Sequence, residues 1–328
     1  AEMGVNHNGD MNLVRELIDK AAEAGVDAIK FQKFTTEDLV TVNAPKAKYQ
    51  EATTSQDETQ FQMLKKLELS TSQLKDLKNY ADSKGILSFA TPFDEKSVDF
   101  LEELEVQAYK IGSGDVTNLP LLRKVASKNK PLILSTGMST LGEVEDAVNA
   151  VLSTGNQELV LMHCTSNYPT DLQDVNLKAM DTIAAAFGLP TGYSDHTMGI
   201  TVSVAAVARG AVAIEKHFTL DRSLEGPDHA ASLEPEELSK LVKEIRNVET
   251  CLGTAIKKPA NSELEVKLVA QKSIVAATDI KKGQVITQDM LTFKRPSSGI
   301  QPKYVDLVVG RVATENIIKD SIITWEML

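Results

Sequence analysis

Residues 131–163 read PLILSTGMSTLGEVEDAVNAVLSTGNQELVLMH. PLILS at 131–135 is a short apolar run of strand character, and LGEVEDAVNAVLSTG at 141–155 repeats its apolar residues at spacings of three and four. ELVLMH at 158–163 is strand-like again, so the stretch is one βα unit and the start of the next. Working outward, the same grammar recurs in EMGV at 2–5, DAIKFQ at 27–32, ILSFA at 86–90, QAYKI at 107–111, PTGYS at 190–194 and VAIEKH at 212–217. Between them lie helical patterns such as NLVRELIDKAAEAG at 12–25, where Gly25 marks the C-terminal stop, and STSQLKDLKNYADSKG at 70–85. Eight such units in about 250 residues predict a closed parallel (β/α)8 barrel of the α/β class, because open doubly wound sheets usually stop near five or six strands.

The barrel reading covers residues 1–256. Residues 33–70 are long for a βα connection and hold the polar, basic run NAPKAKYQ, which predicts a lid or binding loop. Residues 257–270 lack a strand period and read as a linker. From residue 271 the pattern changes to short β runs with a Lys-Gly turn at 282–283, predicting a small β-rich domain over 271–328. A domain of that size is near the lower limit of independent stability, so it should pack against something. Ala1 stands where a strand is already under way, which predicts a few residues ahead of it.

The 328 residues are 42% hydrophobic and 25% charged, the balance of an ordinary globular chain. A net charge of −11 argues against a general nucleic-acid binder, since no broad basic field exists to displace counterions from phosphates. Anionic small-molecule substrates would need a local basic pocket. Cys164 and Cys251 have no CxxC or CxxH partner, so neither a disulfide framework nor a zinc site is indicated. No apolar run has the roughly 18 residues of a membrane span, and no signal pattern opens the chain. The expected location is the cytoplasm.

In a barrel of this kind chemistry sits at the C-terminal ends of the strands. Polar residues collect there: Asn6-His7-Asn8, Lys30 and Gln32, Thr91, Lys110 with Ser113-Gly114-Asp115, Ser135, His163, Ser194-Asp195-His196, and Glu215-Lys216-His217. His196 and His217 end consecutive strands, which neighbour each other at about 4.8 Å, so two imidazoles can converge on one cation. A lone strand-end histidine is more often a hydrogen-bonding core residue, and spacing leaves both readings open. His7 and His163 are weaker candidates. Lys30 and Lys110 are expected on opposite sides of the opening, where they could grip a phosphate or carboxylate, with Ser113, Ser135 and Ser194 adding donors. For any one of these serines a helix cap is the likelier reading, but the set of two lysines and three hydroxyls favours an anion site.

The motifs AEMGVNHNGD, KFQKF, APKAKYQ, ATPFD, YKIGSGD, ILSTGM, HCTSNYP, YSDHT, EKHFTLD, GPDH and KRPSSG occur in this order across nearly the whole chain. The set resembles the sialic acid synthase family, bacterial enzymes that condense phosphoenolpyruvate with an N-acetylated amino sugar. The resemblance implies a (β/α)8 barrel followed by an antifreeze-like, or SAF, domain, in a domain-swapped homodimer whose small domain reaches the partner's barrel mouth. It places metal ligands at His196 and His217, for Mn²⁺ or Mg²⁺. It places phosphoenolpyruvate contacts at Lys30, Thr91, Lys110, Ser113, Ser135 and Ser194, and sugar contacts at Gln32, Asp115, Tyr168 and Asp228. Glu2 matches the family's candidate acid/base carboxylate, and Arg295 the arginine offered to the other subunit's sugar.

Three positions depart from the family pattern. Its usual SGE is Ser113-Gly114-Asp115 here, one methylene shorter, which predicts a longer or water-bridged sugar contact. Ser166 replaces Asn or Thr, and Gln271 stands where relatives often carry an aromatic or basic residue. What the resemblance implies is attack of the enol carbon of phosphoenolpyruvate on an open-chain aldehyde, water addition and loss of phosphate. The expected product is N-acetylneuraminate from N-acetylmannosamine, with N,N′-diacetyllegionaminate from 2,4-diacetamido-2,4,6-trideoxymannose as the alternative. A synthase acting on a sugar phosphate would need a second anion site, for which Lys46 and Lys48 are the candidates, and a metal-dependent aldolase is a further enzyme rival. A carbohydrate- or ice-binding protein, suggested by the tail alone, would not need the polar barrel top.

Overall fold

Each of the strand-like runs becomes a strand in the computed structural model, which describes residues 1–55 and 57–328. They are β1 Glu2–Gly4, β2 Ala28–Lys33, β3 Leu87–Pro92, β4 Tyr109–Ile111, β5 Leu132–Ser135, β6 Leu159–Cys164, β7 Thr191–Asp195 and β8 Ile214–Lys216. All pair in parallel and in chain order, and a bridge between Glu2 and His217 joins the last to the first. The result is the closed (β/α)8 barrel that the alternation predicts.

The helices that follow β1 and β2 are α1 Met11–Ala24, then α2 Thr36–Leu39, α3 Lys48–Thr53 and α4 Gln60–Leu67, and then α5 Thr71–Ser83. The remaining barrel helices are α6 Glu95–Glu103, α7 Leu119–Ala126, α8 Leu141–Leu152, α9 Lys178–Phe187, α10 Thr201–Ala208 and α11 Pro235–Leu252. Their ends follow local chemistry. In α1, Asp10 accepts from the Asn12 N–H, and Gly25, at φ 75°, takes the left-handed conformation that a Cβ would strain. In α8, Thr140 and Glu143 form a reciprocal capping box. The inner faces of α1 (Val14, Leu17, Ile18, Ala21) and α8 (Val144, Ala147, Val148, Val151) pack on the outward side chains of the strands, such as Phe31 and Leu134. Each large side chain so buried contributes on the order of 1.5–3 kcal/mol.

Strand alternation decides what faces the barrel interior. Along β2, Ile29 and Phe31 pack outward against helices while Lys30 and Gln32 line the central cavity. The same parity puts Lys110, Ser135, Cys164, Ser194 and Glu215 inside. The long connection after β2 is not a bare loop: it folds into α2, α3 and α4, and Val5, Phe34, Met63 and Leu67 form a small core of their own beneath it.

The chain divides into two compact units, Ala1–Gly253 and Thr254–Leu328. The second begins with a segment containing the short helix α12 Leu264–Ala270. It then pairs β9 Ser273–Ala276 with β10 Leu291–Lys294 antiparallel, and adds the bridges Val275 with Ile322, Ile280 with Ile317 and Val285 with Val312. Ile274, Ile286, Ile300, Val308 and Ile323 form its core, with α13 Val305–Val308 on one side. Among the described residues no helix is long and apolar enough to cross a membrane.

Candidate active site

A cavity of about 470 Å³ opens at the C-terminal ends of the strands. Its wall carries Glu2, Lys30, Gln32, Thr91, Lys110, Ser113, Ser135, Tyr168, Ser194, His196, His217 and Asp228, so the barrel gathers these candidates from its strands and the connections that follow them into one place. At its base lies a cluster of charges. Lys30 pairs with Glu2 and stands 3.6 Å from Glu215, while Lys110 stands 3.5 Å from the other carboxylate oxygen of Glu215. The two lysines therefore do not flank the opening from opposite sides as the sequence predicts. Both side chains lean inward to one carboxylate, because a closed barrel leaves them no route to solvent.

Burial disfavours the Lys30 ammonium, yet Glu2 and Glu215 beside it hold its pKa above the ordinary value. For Lys110 burial wins over Glu215, and its pKa is lowered. Burial raises the pKa of Glu2 against the pull of Lys30. Glu215 is held below the usual carboxylate range, since the nearby Lys110 and Lys30 outweigh the desolvation that opposes them. Ser194 Oγ donates to Glu215 at 3.1 Å, Lys30 donates to Thr91 Oγ1 at 3.3 Å, and Ser135 Oγ is buried with no partner among the described residues. Two cations and a ring of hydroxyls in this cavity suit an anion that carries both a phosphate and a carboxylate group. Sequence reasoning gives Glu215 no role, although it lies two residues before His217 and therefore on the same face of β8.

Above the lysines the imidazoles of His196 and His217 lie with ring centroids 5.5 Å apart. Burial lowers their pKa values to about 4 and about 3, helped at His196 by His217 and at His217 by Lys30, and the opposing pull of Glu215 does not offset it, so both rings are neutral near pH 7. His196 Nδ1 donates to the Thr165 carbonyl at 2.8 Å, which leaves Nε2 as a lone pair. His217 Nδ1 is buried and has no hydrogen-bond partner among the described residues. No group of three or more His, Cys, Asp or Glu side chains among the described residues has a metal-holding arrangement. Two neutral nitrogens, one of them orphaned, fit a divalent cation that completes its shell with oxygen from water or substrate. His163 is different: it faces outward on β6 and bonds the Val175 carbonyl at 2.8 Å. His7 is turned away too, with Nδ1 accepting from Gly9 N at 2.9 Å.

The outer part of the cavity rests on connections rather than strands. Tyr168 stacks on His196 at 4.1 Å and meets Tyr49 of α3 at 5.0 Å. Asp228 stands in the connection after β8, its carboxylate 3.7 Å from His217 Nδ1 and its pKa raised to about 7 by burial and then by Glu2. Gly4, at φ 53°, keeps open the point where Glu2, Gln32 and Asp228 converge. A Cβ there would sit 3.1 Å from Glu2 Oε1, 3.3 Å from Asp228 Oδ2 and 3.5 Å from Gln32 Nε2.

Asp115 does not reach the cavity wall. Its carboxylate turns back to accept from Asn118 Nδ2 at 3.0 Å, which the shorter side chain permits within the turn Ser113–Asp115. Arg295 belongs to the second unit, where it follows β10 and is exposed.

The sequence profile of the NeuB family matches residues 17–257. The chain belongs to the NeuB family. A SAF domain profile matches residues 271–328. The chain is 49% identical to the N,N′-diacetyllegionaminic acid synthase of Campylobacter jejuni, over 98% of this chain and 97% of that one. It is 38% identical to the human N-acetylneuraminate-9-phosphate synthase, over 100% of this chain and 91% of that one. Among solved structures it superposes on an N-acetylneuraminic acid (sialic acid) synthetase from Leptospira borgpetersenii, in complex with citrate, with a TM-score of 0.72. That match has 39% identity and covers 81% of this chain and 88% of the other. Family membership accounts for both units, the barrel by one profile and the C-terminal unit by the other.

Proposed function

We propose that this member of the NeuB family condenses phosphoenolpyruvate with the open-chain aldehyde of an N-acetylated amino sugar, giving a nine-carbon 2-keto acid and phosphate. The observation that carries the reading is the convergence of Lys30 and Lys110 on Glu215 directly beneath His196 and His217, inside one cavity. Lys30, Thr91, Lys110, Ser113, Ser135 and Ser194 hold phosphoenolpyruvate. Gln32, Tyr168 and Asp228 receive the sugar, and Asp115 acts on it only through water, since its carboxylate is turned to Asn118. A divalent cation on His196 and His217, Mn²⁺ or Mg²⁺, supplies Lewis-acid polarisation of the aldehyde oxygen when bound.

The chain's own residues do the rest. Tyr168 and Gln32 orient the aldehyde so that C3 of phosphoenolpyruvate can form the new bond to its carbonyl carbon. As that bond forms the carbonyl π pair passes to the aldehyde oxygen and positive charge develops at C2. Glu2 accepts a proton from the water that adds there, and the aldehyde oxygen takes up that proton as it becomes the new hydroxyl. The tetrahedral intermediate breaks its C2–O bond to phosphate and loses the hydroxyl proton, which leaves the keto group. Lys30 and Lys110 follow the negative charge as it moves onto the leaving phosphate.

Both N-acetylmannosamine and 2,4-diacetamido-2,4,6-trideoxymannose satisfy this chemistry. Two features favour the second: the higher identity to the Campylobacter jejuni legionaminic acid synthase, and an outer wall of Leu39, Val40, Met63, Leu64 and Phe93 that suits a 6-deoxy sugar. Lys46, offered above for a phosphorylated acceptor, is committed to Thr54 Oγ1 at 2.9 Å and to the Ser55 carbonyl. Phosphate release from phosphoenolpyruvate with each acceptor side by side, with and without chelator, tests the reading. Turnover with neither sugar would overturn it.

The same reading makes the protein a cytoplasmic, domain-swapped homodimer, with residues 1–256 as the barrel, 257–270 as the linker, and Arg295 completing the partner's site. Its two cysteines are unpaired, as a reducing compartment allows. Co-refolding Arg295→Ala with His217→Ala chains tests the exchange. Recovered activity supports donation in trans, and no recovery despite demonstrated heterodimers refutes it.

A further inference from the structure

The turn Asn6-His7-Asn8 has no part in the mechanism above, yet it crosses the seam where the barrel closes. Among the described residues, backbone pairing between β1 and β8 consists of the bridge from Glu2 to His217, with the Phe218 N–H donating to the Glu2 carbonyl at 2.9 Å. Higher up, side chains make the join. Asn6 Nδ2 donates to the Phe218 carbonyl at 2.8 Å and to Ser232 Oγ at 2.9 Å, and Ser232 Oγ in turn donates to the Asp228 carbonyl at 2.7 Å. Asn8 Nδ2 donates to the Glu225 carbonyl at 2.9 Å. The segment 218–232 is thus held at both ends and in the middle from the turn that follows β1.

The relay runs one way, from amide to hydroxyl to the backbone of Asp228, and both of its side chains are 1% exposed. It is a poor choice for stability alone. Asn6 Oδ1 is left buried with no partner among the described residues, a cost that an apolar side chain would avoid. The Asp228 carboxylate has no hydrogen bond of its own among the described residues, so its place opposite Glu2 and Gln32 is set by its backbone. We infer that Asn6 is a positioning residue for the sugar acceptor, which through Ser232 fixes the backbone of Asp228 and so the carboxylate that meets the sugar. This rests on the assignment of Asp228 to the acceptor.

Steady-state phosphate release, with phosphoenolpyruvate and the turned-over acceptor varied in turn, tests it in Asn6→Ala, Ser232→Ala, the double variant and Asp228→Ala. Loss of one buried hydrogen bond in the relay should raise the acceptor KM about tenfold while the phosphoenolpyruvate KM stays within about twofold. The double variant should be no worse than the worse single one, because both cut the same relay. Adding Asn6→Ala to Asp228→Ala should change little further. A merely structural role would lower Tm and move both KM values together or neither, and that result overturns the inference. If Asp228→Ala raises the acceptor KM while Asn6→Ala and Ser232→Ala are silent, the positioning role alone falls. If Asp228→Ala leaves the acceptor KM unchanged, the acceptor assignment falls and the inference with it. Should Asn6→Ala fail to fold, Ser232→Ala decides.

Discussion

Lys216 Nζ lies 3.0 Å from the Asp195 carboxylate, both side chains fully enclosed on the outer face of β7 and β8. The two residues are register partners, and each immediately precedes one of the histidines on the inner face. Asp195 also accepts from Thr197 N at 2.9 Å, Thr197 Oγ1 at 2.8 Å and Ser203 Oγ at 2.5 Å. Removing one member strands the other charge in the wall. Lys216→Met should therefore destabilise the barrel by about 3–5 kcal/mol. The urea midpoint measures it, and a shift near zero would contradict the buried-pair description. The paired change Asp195→Leu with Lys216→Met should recover little of the loss, because it leaves Thr197 N, Thr197 Oγ1 and Ser203 Oγ buried without their acceptor.

Lys110→Met keeps the stem and removes the charge. The loss of a charge-assisted contact to the anion should lower kcat/KM for phosphoenolpyruvate by on the order of 10²-fold, while the acceptor KM moves little. Initial-rate kinetics with each substrate varied in turn would show it. Equal loss for both substrates would remove Lys110 from the anion site.

His217→Ala should leave the fold intact and abolish most activity, because the ring ends β8 at the cavity rather than in the core. Mn²⁺ binding to the purified protein should weaken by about 10–100-fold or more, the scale seen when metal-site residues are changed. Near-normal turnover at saturating Mn²⁺ would exclude a ligand role.

Acid should weaken the fold through His7 and His229. Burial holds both rings at a pKa of about 4, against an ordinary value of 6.5, with His229 adding to the shift of His7. Between those values the unfolded chain binds more protons than the folded one, so stability rises with pH through the window and is lost as pH falls from 6.5 towards 4. Each histidine contributes ~3 kcal/mol at most over that range. Urea titrations at pH 7 and pH 5 should separate, and His7→Gln should narrow the gap. An unchanged gap would mean His7 is protonated alike in both states.

The fold was legible because each barrel strand is a short apolar run followed by a helix with three- and four-residue periodicity, and both periods survive in one sequence. The site was legible as a zone. Strand ends name the right neighbourhood, but only the alternation along each strand separates Glu215 and His217, which face in, from Lys216, which faces out. That phase is invisible until a neighbouring strand anchors it, which is why strand ends alone give Glu215 no role. The helices α2 to α4 were illegible for another reason. They are short, about one to two turns each, and α2 and α4 rest on a small core shared with Val5 and Phe34 rather than on the barrel's main core, so in sequence the segment reads as a loop.

On the reading proposed above, the two substrates rest on different kinds of scaffold. Most of the phosphoenolpyruvate contacts project from β2, β3, β4, β5 and β7, where any change of residue must also satisfy the pleat and its neighbours. Of the acceptor contacts, Gln32 projects from β2, while Tyr168 and Asp228 stand on connections outside the sheet. Connections accept insertion and replacement without reordering the barrel. A lineage built on this plan can exchange one sugar for another by rewriting its rim while the phosphate chemistry beneath is inherited unaltered.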